Sequence, residues 1–166
     1  MLVAIISDIH DNIANLEKCL TWCRLNKVEK IIFGGDATTL ETIDYLARNF
    51  PGEIFMVKGN IELYREADLS EYKNLLYSGE AGLREIGELG IGFCHEPKNI
   101  KKVQKLALAA PDFIFYGHTH KPWLEHDGET IIANPGNIAG VFHQATFAVL
   151  DTFLKKLDLK IIADLK

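Results

Sequence analysis

The chain has 166 residues, 48% hydrophobic and 25% charged, with 13 Gly and 5 Pro, a composition that excludes disorder, collagen and a fibrous rod. With 23 Asp and Glu against 18 Lys and Arg the formal charge is -5, so no global field draws it onto a polyanion or an anionic membrane. Met1 runs straight into the apolar stretch Leu2 to Ile6, with no basic leader, no cleavage site and no apolar run of about 18 residues, which predicts a cytoplasmic, soluble protein without a membrane partner.

Leu2 to Ser7 is a short apolar, β-branched run typical of a buried strand, Ile13 to Leu25 has helical spacing, and Lys30 to Phe33 returns to a buried strand ending in Gly34-Gly35. This βαβ opening repeats. Leu40 to Phe50 reads as helix, Pro51-Gly52 as its stop and Glu53 to Val57 as strand, so the first half is expected to build a parallel sheet. From Leu83 the pattern changes: Leu83 to Ile86 and Ile91 to Cys94 flank a Gly-rich turn and predict an antiparallel hairpin, followed by a third helix over Ile100 to Ala109. A strand at Phe113 to Tyr116, a hairpin from Trp123 to Ala133 turned at Asp127-Gly128, and strands at Thr146 to Leu150 and Leu157 to Ile162 complete the series. The sum is an α/β fold of about two sheets with helices outside, in one domain over residues 1–166, since no repeat or shift in composition divides the chain.

Cys19, Cys23 and Cys94 are odd in number and argue against a disulfide framework. Cys19 and Cys23 stand four apart on one helix face, where two thiolates could bind a metal. No second Cys pair completes such a site, and two small buried apolar residues are the better reading.

The chemistry lies where polar residues follow predicted strands. Asp8 and His10 follow the first, where extended geometry at period two would point both side chains the same way. Asp36 follows the second strand behind two glycines that let backbone approach a ligand closely, and Asn60 follows the third behind Gly59. His95 ends the hairpin, and His118 and His120 follow the Phe113 strand behind Gly117. Ligands bind at the carboxyl edge of an open α/β sheet, so these seven side chains are expected to converge on one rim.

Any one of the seven alone reads as a cap or turn residue. Asp-x-His, Gly-Asp, Gly-Asn, a strand-end His and Gly-His-x-His in that order in one small chain point to metal chemistry instead. Two Asp, one Asn and four His are too rich in nitrogen for Ca or Mg and suit divalent first-row metals, Mn foremost, with Ni, Fe or Zn as alternatives. Seven ligands exceed what one such ion takes. With one bridging carboxylate, each of two ions would receive four protein ligands at a separation of roughly 3.5–4 Å and keep positions open for water and substrate.

Ser7-Asp8-Ile9-His10, Gly34-Gly35-Asp36, Gly59-Asn60, His95, Gly117-His118-Thr119-His120 and Asn134-Pro135-Gly136 resemble the motifs of the calcineurin-like metallophosphoesterases over nearly the whole chain, in particular those of the small single-domain prokaryotic phosphodiesterases. The resemblance implies a four-layer αββα sandwich of two mixed sheets. It implies one metal held by Asp8, His10, Asp36 and His120, a second held by Asp36, Asn60, His95 and His118, and Asp36 as the bridge. On charge and geometry, two such ions acidify a shared water to hydroxide, which attacks a small phosphodiester in line with its leaving group and without a covalent enzyme intermediate. Asp8, Asp36 and hydroxide leave about one positive charge of the metals' four, which suits a diester anion, though a monoester dianion would also bind.

Two positions depart from the family. Its monoesterases carry a His directly after Gly-Asn and its small phosphodiesterases often carry an Asp two places after it, where this chain has Ile61 and Glu62; and Phe93-Cys94-His95-Glu96-Pro97 replaces a Gly- and His-rich turn. Glu62 reads equally as a glutamate at a helix start and as a partly protonated general acid for an alkoxide leaving group. The residues assigned to catalysis are Asn60, His95 and Glu62.

Lys98, Lys101, Lys102 and Lys105 read as a solvated helix face rather than a phosphate patch, His126 and His143 as surface histidines, and Asn134-Pro135-Gly136 as a turn shaping the rim. The rival reading is a protein-binding scaffold of this fold, similar to the retromer's small subunit with its incomplete metal site, against which stand seven competent ligand positions. A nuclease on long nucleic acid is disfavoured by the acidic balance and the lack of a basic, aromatic-rich arm. Assembly into a homo-oligomer stays open.

Overall fold

The computed structural model describes residues 1–165. Strands β1 (Leu2–Ile6), β2 (Lys30–Phe33) and β3 (Glu53–Met56) are apolar at nearly every position because both of their faces are buried. In β1, Ala4 and Ile6 face helices while Val3 and Ile5 face a second sheet; in β2, Ile31 and Phe33 take the first environment and Ile32 the second. The helices are α1 (Ile13–Leu25) and α2 (Leu40–Asn49). Asn12 caps α1 by accepting from the Asn15 N–H (3.1 Å), and the helix turns Leu16, Cys19, Leu20 and Cys23 inward. Cys19 and Cys23 are therefore core residues with free thiols, and burial raises that of Cys19 further.

These three strands pair in parallel, β4 (Leu75–Tyr77) joins β3 in parallel, and β10 (Thr146–Asp151) and β11 (Lys156–Ile161) extend the other edge antiparallel, in the order β11-β10-β1-β2-β3-β4. The second sheet holds β5 (Ala81–Ile86), β6 (Leu89–Cys94), β7 (Phe113–Phe115), β8 (Trp123–Asp127) and β9 (Thr130–Asn134) in the order β5-β6-β7-β9-β8. Its hairpins turn through Gly87-Glu88 and Gly128-Glu129, the second one residue later than expected, with glycine supplying positive φ at the first position of each two-residue turn. Ile5, Ile32, Phe93, Phe113, Phe115 and Leu150 pack between the sheets. The outer face of the second sheet is covered by α3 (Ile100–Leu106), which sits close because Gly92 has no side chain: a Cβ there would lie 2.2 Å from Val103 Cγ1. The architecture is the expected four-layer αββα sandwich.

Three local differences have physical reasons. Helix α3 stops at Leu106, with Ala107 extended, rather than at Ala109; only Val103 of it is buried, and Leu108 is fully exposed, so a longer helix would have no apolar face to bury. Helix α2 ends one residue early, at Asn49. Strand β4 and the 3₁₀ turn Glu66–Glu71 fall in a stretch whose sequence shows no period, because three residues are too few to carry one. Pairing with β3 and the Asn74 amide, which donates to the carbonyls of Ala47 (2.9 Å) and Phe50 (2.8 Å), hold that stretch in place. Among the described residues no helix is long and apolar enough to cross a membrane.

Candidate metal centre

The loops after β1 and β2 run side by side. Asp8 N–H donates to Gly35 O, Ile9 and His10 N–H to Asp36 O, and Asp11 N–H to Ala37 O, all at 2.9–3.1 Å. This segment is not an extended continuation of β1. Asp8 (φ 55), His10 (φ 46) and Asp11 (φ 56) are left-handed, so Asp8 and His10 converge through a coiled loop and not through strand period. Asp36 (φ 61), His118 (φ 68) and His120 (φ 60) are left-handed too. Gly34 and Gly35, expected to admit a ligand, admit neighbouring protein: a Cβ on Gly34 would lie 2.8 Å from Ser7 Oγ and one on Gly35 2.6 Å from Gly59 N, as one on Gly59 would lie 2.0 Å from Asp36 Oδ1 and one on Gly117 1.9 Å from Ser7 Oγ.

All seven predicted side chains come together at the seam of the two sheets. Asp8 Oδ1 lies 3.3 Å from His120 Nε2 and 3.9 Å from His10 Nε2, and the two histidine nitrogens are 3.0 Å apart. A second group forms around Asn60 Oδ1, which is 2.8 Å from His95 Nε2 and 2.7 Å from His118 Nδ1, with Asp36 Oδ2 3.3 Å from His95 Nε2. Donor atoms of Asp8, Asp36 and His95 also lie mutually within 4.8 Å, which links the groups through the carboxylates. Two ligands about 2.1 Å from one ion and 90–110° apart are themselves about 3.0–3.4 Å apart, a range that holds the His10–His120, Asp8–His120 and Asp36–His95 separations, and the nitrogen and oxygen donors suit divalent cations in chemistry. Asp8, Asp36 and His95 form a buried floor, while Asn60 and His118 are exposed at the rim.

The electrostatics agree with a site built for cations. Burial works to raise the Asp36 carboxyl, but His95 and the backbone N–H groups of Ile61 and Asn60 outweigh it and hold it below the usual range. Burial likewise opposes charge on His95, and the Asp36 and Asp8 carboxylates reverse that and raise it; His120 is raised chiefly by its contact with Asp8. His95 Nδ1 donates to Gly34 O (2.7 Å), which turns Nε2 toward Asn60 and Asp36.

The calcineurin-like phosphoesterase superfamily domain matches residues 1–154. The chain belongs to that superfamily. Membership assigns it to the metal-dependent phosphoester hydrolases. A phosphodiesterase of Methanocaldococcus jannaschii is 26% identical over 163 residues, covering 94% of this chain and 96% of its own. A solved archaeal phosphodiesterase superposes with a TM-score of 0.85 at 25% identity, over 97% of this chain and 99% of that one. Vps29 of Chaetomium thermophilum has a TM-score of 0.69 at 16% identity, over 97% and 92% of the two chains, which shows a common fold.

In this phosphoesterase the Glu62 carboxylate has a backbone occupation. Oε1 accepts from the N–H groups of Asp36 (2.8 Å) and Gly59 (3.2 Å), and Oε2 from that of Thr38 (3.1 Å), so both oxygens tie the loop after β2 to the loop after β3. It stands before the 3₁₀ turn rather than at a helix start. Thr38, β-branched yet at φ 86, is pinned by Glu62 and by the Leu63 N–H donating to its carbonyl (2.8 Å). Asn134 accepts from Gly136 N–H (2.8 Å) and donates to Gly117 O (2.8 Å), so its turn does shape the rim. Two supports escaped the sequence reading. Asp11 Oδ1 accepts from the N–H and hydroxyl of Thr39 and the hydroxyl of Thr42, fixing the start of α2, and buried Asn137 donates to His120 O (3.0 Å). Both are polar residues in loops, where only the fold reveals what they hold.

Proposed function

We propose that this chain is a two-metal phosphodiesterase of small substrates. The observation that carries the reading is the pair of donor clusters, Asp8, His10 and His120 on one side and Asn60, His95 and His118 on the other, with Asp36 between them. Asp36 is assigned as the bridge, and Mn as the resident ion, with Ni, Fe or Zn as alternatives. Divalent ions bound there would acidify a water, polarise the phosphoryl oxygens and offset the charge of the diester. The chain's residues set the stage for that. Asp8 and Asp36 supply the negative charge, His95 is oriented through Gly34, and Asn60 and His118 stand where a substrate arrives from solvent. Glu62 is assigned as a positioning residue, because both of its oxygens accept from backbone N–H groups and tie the loop after β2 to the loop after β3.

A cytoplasmic, reducing setting is supported by three free, buried cysteines. The formal charge of -5 supports a small substrate over long nucleic acid. The test is purification without chelator, metal analysis, and turnover of bis-p-nitrophenyl phosphate, p-nitrophenyl phosphate, cyclic nucleotides and short oligonucleotides with each metal added back. About two ions per chain and preferential turnover of the small diesters are expected. Metal-free protein that stays inert with every metal would overturn the reading in favour of a scaffold.

A further inference from the structure

Beside Asn60 lies a cavity of about 330 Å³ whose walls come from the ends of β3, β4 and β6: Lys58, Glu66, Glu80, Glu96 and Asn99 line it together with Asn60. Its size is at the lower end of the roughly 300–1,000 Å³ of small-molecule sites. The charged groups there are already matched. Lys58 pairs with Glu66 (3.2 Å), Lys98 with Glu96 (2.8 Å) and Lys102 with Glu80. Asn99 is different. It is only 5% exposed, its backbone N–H donates to Glu96 O (2.9 Å), and no hydrogen bond within the described chain engages its side-chain amide. A largely buried residue that borders a cavity, with no side-chain partner in the chain, offers an amide donor and acceptor to what enters it.

We propose that this cavity receives the alcohol arm of the phosphodiester, and that the arm is small, uncharged and hydroxyl-bearing, of the glycerol or pentose kind. The inference rests on the metal-centre reading, because Asn60 is both a candidate ligand and a wall of the cavity, so a phosphoryl group held at Asn60 directs one ester arm into it. Hydroxyl groups match the lining: Asn99 both donates and accepts, and the three glutamates accept. An arm with its own phosphate or carboxylate finds Lys58, Lys98 and Lys102 each already paired with a glutamate, so it gains no free cation to offset the loss of its hydration and is disfavoured.

The experiment compares kcat/KM on three diesters with the same p-nitrophenolate leaving group and a glyceryl, ethyl or 2-carboxyethyl second arm. The glyceryl ester is expected to lead the ethyl ester by about tenfold, the scale of one good neutral hydrogen bond, with the advantage mainly in KM, and the carboxyethyl ester to trail both. Asn99→Ala should bring the glyceryl to ethyl ratio close to one. Glu80→Gln, at a more exposed position, should raise the carboxyethyl to ethyl ratio several-fold and keeps the test alive if Asn99→Ala does not fold. Equal kcat/KM on all three esters, or ratios that neither variant moves, overturns the subsite while leaving the metal-centre reading in place. Failure to hydrolyse any of the three with metal present overturns that reading, and this one with it.

Discussion

At the turns joining β5 to β6 and β8 to β9, left-handed backbone falls on Gly87 (φ 65) and Gly128 (φ 61), whereas at the opposite edge it falls on Asp8, His10, Asp36, His118 and His120, with φ from 46 to 68. Glycine adopts this conformation without strain, while a residue with a Cβ held there costs roughly 1–3 kcal/mol. Those two turns are built the way stability alone would build them. The rim is built against that preference, at positions where a glycine would relieve the backbone but provide no ligand. Five of the ten non-glycine residues with positive φ are candidate donors, the pattern expected if the rim is held for its side chains rather than for its turns. Clamps from outside the donor set hold it, Glu62 on Asp36 and Thr38 and Asn137 on His120, and within the set the Asp8 carboxylate accepts from the His118 N–H.

The comparison breaks most sharply at Asp36. Changing it to Asn keeps the shape and removes the charge between the two donor groups, and turnover should fall by more than about 100-fold, beyond the usual loss on removing an outer-shell partner. Metal content per chain and turnover with Mn, Ni, Fe and Zn check this, and near-normal activity across metals would end the bridging assignment. Gly117→Ala comes next, since its Cβ would meet Ser7 Oγ at 1.9 Å and Asp8 Oδ2 at 2.7 Å. It should destabilise by about 1–3 kcal/mol in urea unfolding and weaken metal retention. Gly90→Ala, with ordinary contacts from 3.6 Å outward, should stay within about 0.5 kcal/mol of the parent.

Glu62→Gln sharpens the difference between a clamp and a catalyst. The amide keeps one acceptor oxygen and loses the other, so at least one of three backbone N–H groups goes unpaired, at about 1–3 kcal/mol if it stays shielded from water. A clamp predicts losses of about 10- to 100-fold that are equal for an alkyl diester and for bis-p-nitrophenyl phosphate and are reduced by excess metal. A selective loss on the alkyl diester would restore Glu62 as the general acid.

The strands that carry the donors were legible because a buried strand must be apolar, and a polar residue within three places of such a run stands out: Asp8 two places after Ile6, Asp36 three after Phe33, His95 directly after Cys94. The donor set followed from that pattern together with the family resemblance. How the side chains converge was not legible. Period two predicts an extended Asp8-Ile9-His10, and the structure has a left-handed coil there, because the backbone bonds to residues 35–37 are long-range and leave no mark in local sequence. The same holds for Glu62, Asp11 and Asn137, whose partners lie on other loops. Strand β4 was missed for a different reason, since a three-residue edge strand carries no usable periodicity.

Stability changes of about 1 kcal/mol test the comparison at its root. His118 is exposed, its side chain reaches only the neighbouring donors, and the N–H that ties it to Asp8 belongs to the backbone and survives substitution. His118→Gly in metal-free protein should therefore relieve left-handed strain at little loss of packing, offset in part by the added freedom of the unfolded chain, for a net gain of up to about 1 kcal/mol. The mirror change, Gly128→Ala at a hairpin turn with nothing within 4 Å of its Cβ, should cost about 1–2 kcal/mol from backbone conformation alone. Adding metal should reverse the order for His118→Gly, because binding stabilises whichever chain retains the ligands. Urea unfolding of the parent and both variants, with and without Mn, decides it. If His118→Gly is destabilised in metal-free protein as much as Gly128→Ala, the rim is not strained in favour of its ligands, and its left-handed residues are held by contacts that the histidine itself makes.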